Sequence, residues 1–316
     1  MSEEKLYSLA DKRVFVAGHC GMVGSALCRR LSNESILLTV GREQLDLRCQ
    51  TAVDDWFTAH RPQAVFLAAA KVGGIYANAT LPAEFIHDNL AIQTNVIEAA
   101  RRTGVEKLLF LSSACVYPRL AHQPVNEDAL LTGPLEPTNE WYAIAKIAGL
   151  KLCQAYRRQY GLDFIAVTPA GLYGWGDTFD ARESHVIPGL ILKVHQAKRA
   201  GDREVILWGS GKALREFMFV DDFADAAVFL MEHYSDEVPI NVGTSEEVSI
   251  IELAEQVAEV IGWRGRFVLD TSKPDGMPRK CLDSTRLRAL GWQARIGLAE
   301  GILRTYQAFV AVNAKA

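Results

Sequence analysis

The sequence predicts an α/β fold, a doubly wound parallel sheet joined to a smaller, mostly C-terminal α/β unit. Three observations predict it. Over the first half of the chain, short runs that are apolar throughout alternate with stretches of helical periodicity, the pattern of strands buried on both faces by crossover helices. The first run leads into GHCGMVG, three glycines spaced three apart where a strand should give way to a helix. Beyond about residue 175 the alternation loosens into mixed helix and strand pieces, as a second unit would.

Taken in order, RVFVAG (13–18) is a buried strand and GSALCRRLS a helix; SILLTVG and TAVDDWFTAH repeat the pair, and AVFLAAA is the third strand. PAEFIHDNLAIQTNVIEAARRTG repeats apolar residues at helical spacing and stops on Gly104, a residue suited to a left-handed C-cap. KLLFLSSACVYP reads as a fourth strand that carries Ser113 and Cys115 on one face. A proline-rich loop from Tyr117 to Asn139 leads into the long helix WYAIAKIAGLKLCQAYRRQYG, and DFIAVTPAGLYG is strand-like again. VIPGLILKVHQAKRA and VSIIELAEQVAEVIG are helices, with EVILWGSG and LREFMFV as short strands between them. Right-handed crossovers order the first set as a Rossmann-type sheet. The predicted division gives 1–170 plus about 216–245 to this nucleotide-binding domain, and about 171–215 plus 246–316 to a substrate-binding domain.

Composition narrows the function. A chain of 316 residues, 49% hydrophobic and 23% charged, can bury a sizeable core and is not intrinsically disordered. The net charge of -4, with no block of Lys or Arg, argues against nucleic acid and leaves a small molecule as the expected partner. The longest apolar runs are strand-sized, so no membrane span is expected. The polar start MSEEKLYSLAD reads as neither signal peptide nor anchor, which makes the cytoplasm the expected compartment. Six cysteines, none in C-x-x-C and none beside a His at zinc-ligand spacing, read as reduced thiols with no metal site.

Gly18, Gly21 and Gly24 at the first strand-to-helix turn would let the backbone approach a pyrophosphate, with Met22 and Val23 at the helix N-terminus. At the end of the second strand an acidic residue would accept from the ribose 2′-OH of NAD. Gly41 and Arg42 stand there instead. A cation suits the 2′-phosphate, so NADP(H) is favoured over NAD(H), with the neighbouring Glu43 weighing the other way. Asp46 and Leu47 read as adenine-side contacts, or Asp46 as the cap of the helix that follows.

Tyr142 and Lys146, four apart, share one helix face. A phenol is a poor acid or base at neutral pH, and a neighbouring ammonium stabilises its phenolate. The bland reading of such a pair is a solvated face. Ser113, at the end of the preceding strand, adds a hydroxyl that could orient a substrate carbonyl.

A glycine loop, a Ser and Tyr-x-x-x-Lys, in that order, resemble the extended short-chain dehydrogenase/reductases. AGHCGMVGSA, LAAAKVGGI, SACVYP, LEPTNEWYAIAKIAG, SHVIP, WGSG, REFMFVDD and KPDGMPRK span nearly the whole chain and resemble the branch that forms GDP-L-fucose. The resemblance implies an NADPH-dependent 3,5-epimerase/4-reductase acting on GDP-4-keto-6-deoxy-D-mannose, working as a homodimer through helices that include that of Tyr142. It assigns reduction to Ser113, Tyr142 and Lys146, and the epimerising base and acid to Cys115 and His185. It places Ala69, Lys146 and His185 against the cofactor, and Lys193, Trp208, Arg215 and Lys280 against the GDP-linked sugar. On the residues alone, Cys115 is equally a packed thiol, His185 a helix-terminal residue held by capping bonds, Lys193 part of a solvated face and Trp208 core.

Three positions depart from the branch: Cys20 stands where an Arg is expected, Gly171 for an Asn and Trp175 for a Pro. The first weakens selectivity for NADP, and the others leave room for a GDP-4-keto-3,6-dideoxyhexose, as in GDP-L-colitose synthesis, or a GDP-4-keto-heptose. A 4-epimerase or dehydratase that retains NAD is a competing enzyme class, and a redox-sensing regulator that only binds NADP(H) is a non-enzymatic one.

Overall fold

The computed structural model describes residues 5–180, 184–273 and 275–313, so Pro274 of KPDGMPRK lies outside the described residues. The first half runs β1 (Arg13–Ala17), α1 (Met22–Leu31), β2 (Ile36–Leu38), α2 (Gln50–His60), β3 (Ala64–Leu67), α3 (Ile75–Thr80), α4 (Pro82–Thr103) and β4 (Lys107–Leu111). It continues through α5 (Glu140–Tyr160), β5 (Asp163–Pro169), β6 (Gly171–Tyr173), α6 (Val186–Ala200), β7 (Glu204–Trp208), β8 (Leu214–Phe219) and α7 (Val220–His233). Last come β9 (Ile240–Val242), β10 (Glu247–Ser249), α8 (Ile250–Ile261), β11 (Arg266–Asp270), β12 (Arg279–Lys280), α9 (Thr285–Ala289) and α10 (Leu298–Asn313).

Six parallel strands form the main sheet in the order β2-β1-β3-β4-β5-β9. The apolar runs are continuous because both faces are covered. Val14 and Val16 of β1 enter the core beneath α1 and α7, while Phe15 and Ala17 enter the opposite one with Phe57, Val96 and Leu150. The order changes direction between β1 and β3, which opens a crevice at the carboxyl ends of these strands, where doubly wound sheets take their ligands.

A second core joins α6, α8, α10 and β7 through Ile187, Leu190, Leu207, Val257 and Ile302. β8 pairs with β6, β10 and β12, and β7 pairs with β11. Leu287 and Trp292, far along the chain, belong instead to the first core, with Leu27 and Phe223. None of the described helices is long and apolar enough to cross a membrane.

Two expectations about strands need correction. DFIAVTPAGLYG is not one strand: β5 lies in the main sheet against β9, and β6 leaves it to pair with Phe217–Phe219. KLLFLSSACVYP ends as a strand at Leu111. The Ser113 hydroxyl accepts the Cys115 N–H at 3.4 Å and caps a single 3-10 turn over Ala114–Val116, a side-chain bond that competes with the strand ladder. Ser113 and Cys115 therefore share a turn rather than a strand face.

Helix α5 reaches this turn by packing tightly on the sheet and on α4. A Cβ on Gly149 would lie 2.4 Å from Phe110 Cζ and 2.7 Å from Gln93 Oε1. Gln93 in turn donates to the Ala145 carbonyl at 2.6 Å. Gly149→Ala forces helix and sheet apart, at about 1–3 kcal/mol for overpacking. The expected result is a lower urea midpoint with an unchanged slope, and an unchanged midpoint would show that the contact yields freely.

Candidate functional site

The site begins at the glycine loop. Gly18 adopts φ +87, and a Cβ there would stand 2.8 Å from the Ala69 backbone. On Gly24 it would stand 2.1 Å from the Gly18 carbonyl oxygen. These approaches bring the ends of β1 and β3 together and leave Gly21 as an N-cap with no side-chain hydrogen bond to α1. The N–H groups at Met22 and Val23, and the positive end of the helix, are thus open to an anion. A pyrophosphate fits this cradle.

Around it, Arg42 is exposed on the turn after β2. Asp46 does not cap α2, whose N-cap is Cys49. It pairs instead with the Arg48 guanidinium at 2.7 Å, which holds its carboxyl down at about 2. Arg48 also reaches Asp88 at 3.1 Å, and the Leu47 carbonyl accepts from Asn95 at 3.0 Å. Cys20, in place of the expected Arg, is exposed with its sulfur 3.2 Å from His19 Nε2.

At the end of β4 the predicted residues converge. Lys146 is only 2% exposed; its ammonium donates to the Leu111 carbonyl at 2.8 Å and lies 5.7 Å from the centre of the Tyr142 ring. Burial lowers its pKa to about 8. Burial, and then the Cys115 charge, push the Tyr142 phenol above its ordinary range against the pull of a Ser113 hydrogen bond. Cys115, 6% exposed, is likewise raised by burial, opposed by the charges of Lys280 and Lys146 and by the Ser113 hydroxyl. The stabilised phenolate expected beside an ammonium is therefore not what the free protein holds: desolvation dominates at Tyr142, as it outweighs the cations at Cys115, and both groups hold their protons.

His185 is the exposed N-cap of α6 and makes no capping bond with its side chain. The substrate-side residues form one cluster. Lys280 of β12 pairs in register with Arg215 of β8. The Lys193 ammonium lies 5.1 Å above the Trp208 ring, which is 62% exposed and so not core. Ser210, two residues on from Trp208, donates through its backbone at 2.6 Å and its hydroxyl at 2.8 Å to Asp275, whose carbonyl accepts from Arg215 at 3.5 Å.

Lys273, 5.8 Å from the Trp208 ring, and Asp275 were not singled out from the sequence. Both sit within or beside KPDGMPRK, where spacing alone gives a loop residue no direction. Gly171 has a physical reason, since a Cβ would lie 3.0 Å from the Glu216 carbonyl oxygen of β8. Trp175 lies beneath the Arg29 guanidinium of α1 at 5.2 Å.

A nucleotide cradle at the switch point of a wound sheet, with a Ser/Tyr/Lys group above it, defines a nucleotide-dependent enzyme of the extended short-chain type. Residues 14–243 match the NAD dependent epimerase/dehydratase family, and the chain belongs to it. The GDP-L-fucose synthase of Sinorhizobium fredii is 54% identical over 306 residues, covering 96% of this chain and 98% of the relative. The GDP-L-colitose synthase of Yersinia pseudotuberculosis is 37% identical over 302 residues, covering 94% and 98%. A crystal structure of a GDP-L-fucose synthetase from Naegleria fowleri bound to NADP superposes with a TM-score of 0.91 at 28% identity, covering 100% of this chain and 99% of that one.

Gly24→Ala drives a methyl into the Gly18 carbonyl and displaces the cradle. Affinity for NADPH is expected to fall roughly tenfold or more, the equivalent of about 1–3 kcal/mol, read from nicotinamide fluorescence on binding. Wild-type affinity would remove this loop from the cofactor site.

Proposed function

We propose that this protein is an NADPH-dependent bifunctional enzyme that epimerises GDP-4-keto-6-deoxy-D-mannose at carbons 3 and 5 and reduces carbon 4, giving GDP-L-fucose. The observation that carries the reading is the meeting of Ser113, Cys115, Tyr142 and Lys146 at the end of β4. It stands beside 54% identity with a GDP-L-fucose synthase, against 37% for the colitose relative.

The 4-ketone acidifies the protons on carbons 3 and 5. The Cys115 thiolate removes one, leaving an enolate, and His185 returns a proton on the opposite face. The raised thiol gives up its proton only when local charge favours the thiolate, and Lys280 and Lys146 supply that charge. Once the sugar is epimerised, Ser113 holds the carbonyl oxygen and Tyr142, kept protonated by burial, donates to the oxygen at carbon 4. Lys146, held by its bond to the Leu111 carbonyl, keeps its ammonium beside the Tyr142 ring. NADPH, when bound, supplies the hydride to carbon 4. Gly18, Gly21, Met22, Val23 and Gly24 would hold its pyrophosphate, Arg42 its 2′-phosphate, and Asp46, Leu47 and Ala69 its adenosine side. Lys193, Trp208, Arg215 and Lys280 would grip the GDP-linked sugar.

We also propose the two-domain division given above, with the segment around Leu287 and Trp292 packed on the first domain, a cytoplasmic location, and a homodimer. Two exposed aromatic residues at the ends of α5, Trp141 and Tyr160, support the dimer. Sedimentation should give twice the mass of one chain, and a monomer at micromolar concentration would overturn that part.

Incubating GDP-4-keto-6-deoxy-D-mannose with NADPH should consume the nicotinamide absorbance and yield GDP-L-fucose; sugar converted without NADPH loss would sink the reductase reading. Cys115→Ser should abolish deuterium uptake from solvent at carbons 3 and 5 while still binding NADPH. Tyr142→Phe should spare that exchange and slow reduction by roughly 100-fold or more. Because burial brings Lys146 to about 8, its charge is present below that pH and lost above it. Reduction should therefore decline as pH rises through 8, and a rate that holds to about pH 9 would separate the ammonium from the step.

A further inference from the structure

We propose that Glu216 and Gln123 form a clamp that positions Lys280 for the diphosphate of the nucleotide sugar, acting through the backbone that follows it. The inference rests on the reading of Arg215 and Lys280 as part of the grip on the GDP-linked sugar. β12 is two residues long, and its ladder with β8 pairs Arg279 with Leu214 and Lys280 with Arg215. Past Lys280 the ladder stops, and each further backbone N–H needs another acceptor. Side chains supply it. The Cys281 N–H donates to Gln123 Oε1 at 2.9 Å, and the Leu282 N–H to Glu216 Oε2 at 2.7 Å. The loop that carries Gln123 closes the clamp: the Val125 N–H bonds the Cys281 carbonyl at 2.9 Å, and the Asp283 N–H bonds the Val125 carbonyl at 2.8 Å. On the other flank of Lys280, the Arg279 guanidinium pairs with Glu247 at 2.6 Å and donates to the Gln123 carbonyl at 3.2 Å.

Glu216 is 4% exposed, and a buried carboxylate is costly unless its oxygens are bonded. Both are: Oε2 accepts from Leu282, and Oε1 accepts the Ser245 N–H at 2.7 Å. Gly243 makes room for the group, since a Cβ there would stand 2.2 Å from Oε1. A carboxylate accepts at both oxygens, whereas an amide would turn its own N–H groups toward one of these donors. The residue after Arg215 on β8 thus ties down the chain that carries Lys280.

What the clamp presents is an uncompensated cation. Arg279 is neutralised by Glu247, but neither Lys280 nor Arg215 has a carboxylate within ion-pair distance among the described residues. The Arg215 guanidinium bonds carbonyls instead, those of Leu214 at 2.8 Å and Asp275 at 3.5 Å. Burial lowers the pKa of both cations, and a diphosphate against them would supply the missing charge. The strands, through their register, set how far apart the two side chains start. The acceptors that fix β12 therefore fix the grip.

The test titrates GDP into the full-length protein saturated with NADPH, so that the glycine cradle is filled. Glu216→Gln and Gln123→Leu should each weaken GDP by roughly tenfold, the scale of one hydrogen bond to a charged group, and leave guanosine and NADPH at wild-type affinity. A merely structural role would weaken guanosine as well. In the Lys280→Met background, itself weakened for GDP, neither change should cost more, because residues that act through one another do not add. Gln123 is half-buried in a loop, so Gln123→Leu decides the clamp if Glu216→Gln does not fold. Wild-type GDP affinity in Gln123→Leu, equal losses for guanosine, or losses that persist in full beside Lys280→Met overturn the proposal. A wild type that bound UDP as tightly as GDP would sink the functional reading, and the same cycle run with inorganic pyrophosphate would still decide the clamp.

Discussion

One buried cation organises the chemistry. The Lys146 ammonium is withdrawn from water, receives no carboxylate among the described residues, and is satisfied by the Leu111 carbonyl at the last residue of β4. It also lies over Phe110 at 5.0 Å and Tyr142 at 5.7 Å, where ring faces attract it. This contact exists only because α5 packs close enough on the sheet for Gly149 to touch Phe110. The helix brings Tyr142, the strand end brings the 113–117 turn, and the carbonyl bond sets the spacing between them.

The turn itself is anchored from below. The Tyr117 hydroxyl donates to Asn241 at 2.6 Å, and Asn241 donates to the Val125 and Asp283 carbonyls at 2.9 and 3.2 Å. Glu216 accepts the N–H groups of Ser245 and Leu282, each at 2.7 Å. Such a buried polar network is stable only when its members are satisfied together. Its consequence is positional: the strand that carries Lys280 is tied to the same framework as the turn that carries Cys115.

Electrostatics then divides the labour. Burial holds the thiol and the phenol protonated in the free protein, which suits Tyr142 as a donor and leaves Cys115 dependent on its cationic neighbours. The charges of Lys280 and Lys146 act on Cys115 and that of Cys115 acts on Tyr142, so a change in charge at one of these groups is passed to the next.

The sequence by itself determined the wound sheet, the glycine cradle and the order of its catalytic motifs. Those features are local: uniform apolar runs, helical periodicity, and a Tyr-x-x-x-Lys spacing that places two side chains on one helix face. Tertiary structure decided what those side chains meet. No spacing rule revealed that the strand stops at Leu111, where the ladder with β5 ends and the Ser113 hydroxyl takes the Cys115 N–H. DFIAVTPAGLYG divides between two sheets because β6 finds β8, nearly fifty residues away. Asp275 ties the Trp208 turn to Arg215 through contacts between looped segments, and the charge of Lys280, far along the chain, bears on the Cys115 thiol. Desolvation, which reversed the expected direction for Tyr142 and raises Cys115, is a property of the assembled interior and has no counterpart in the order of residues.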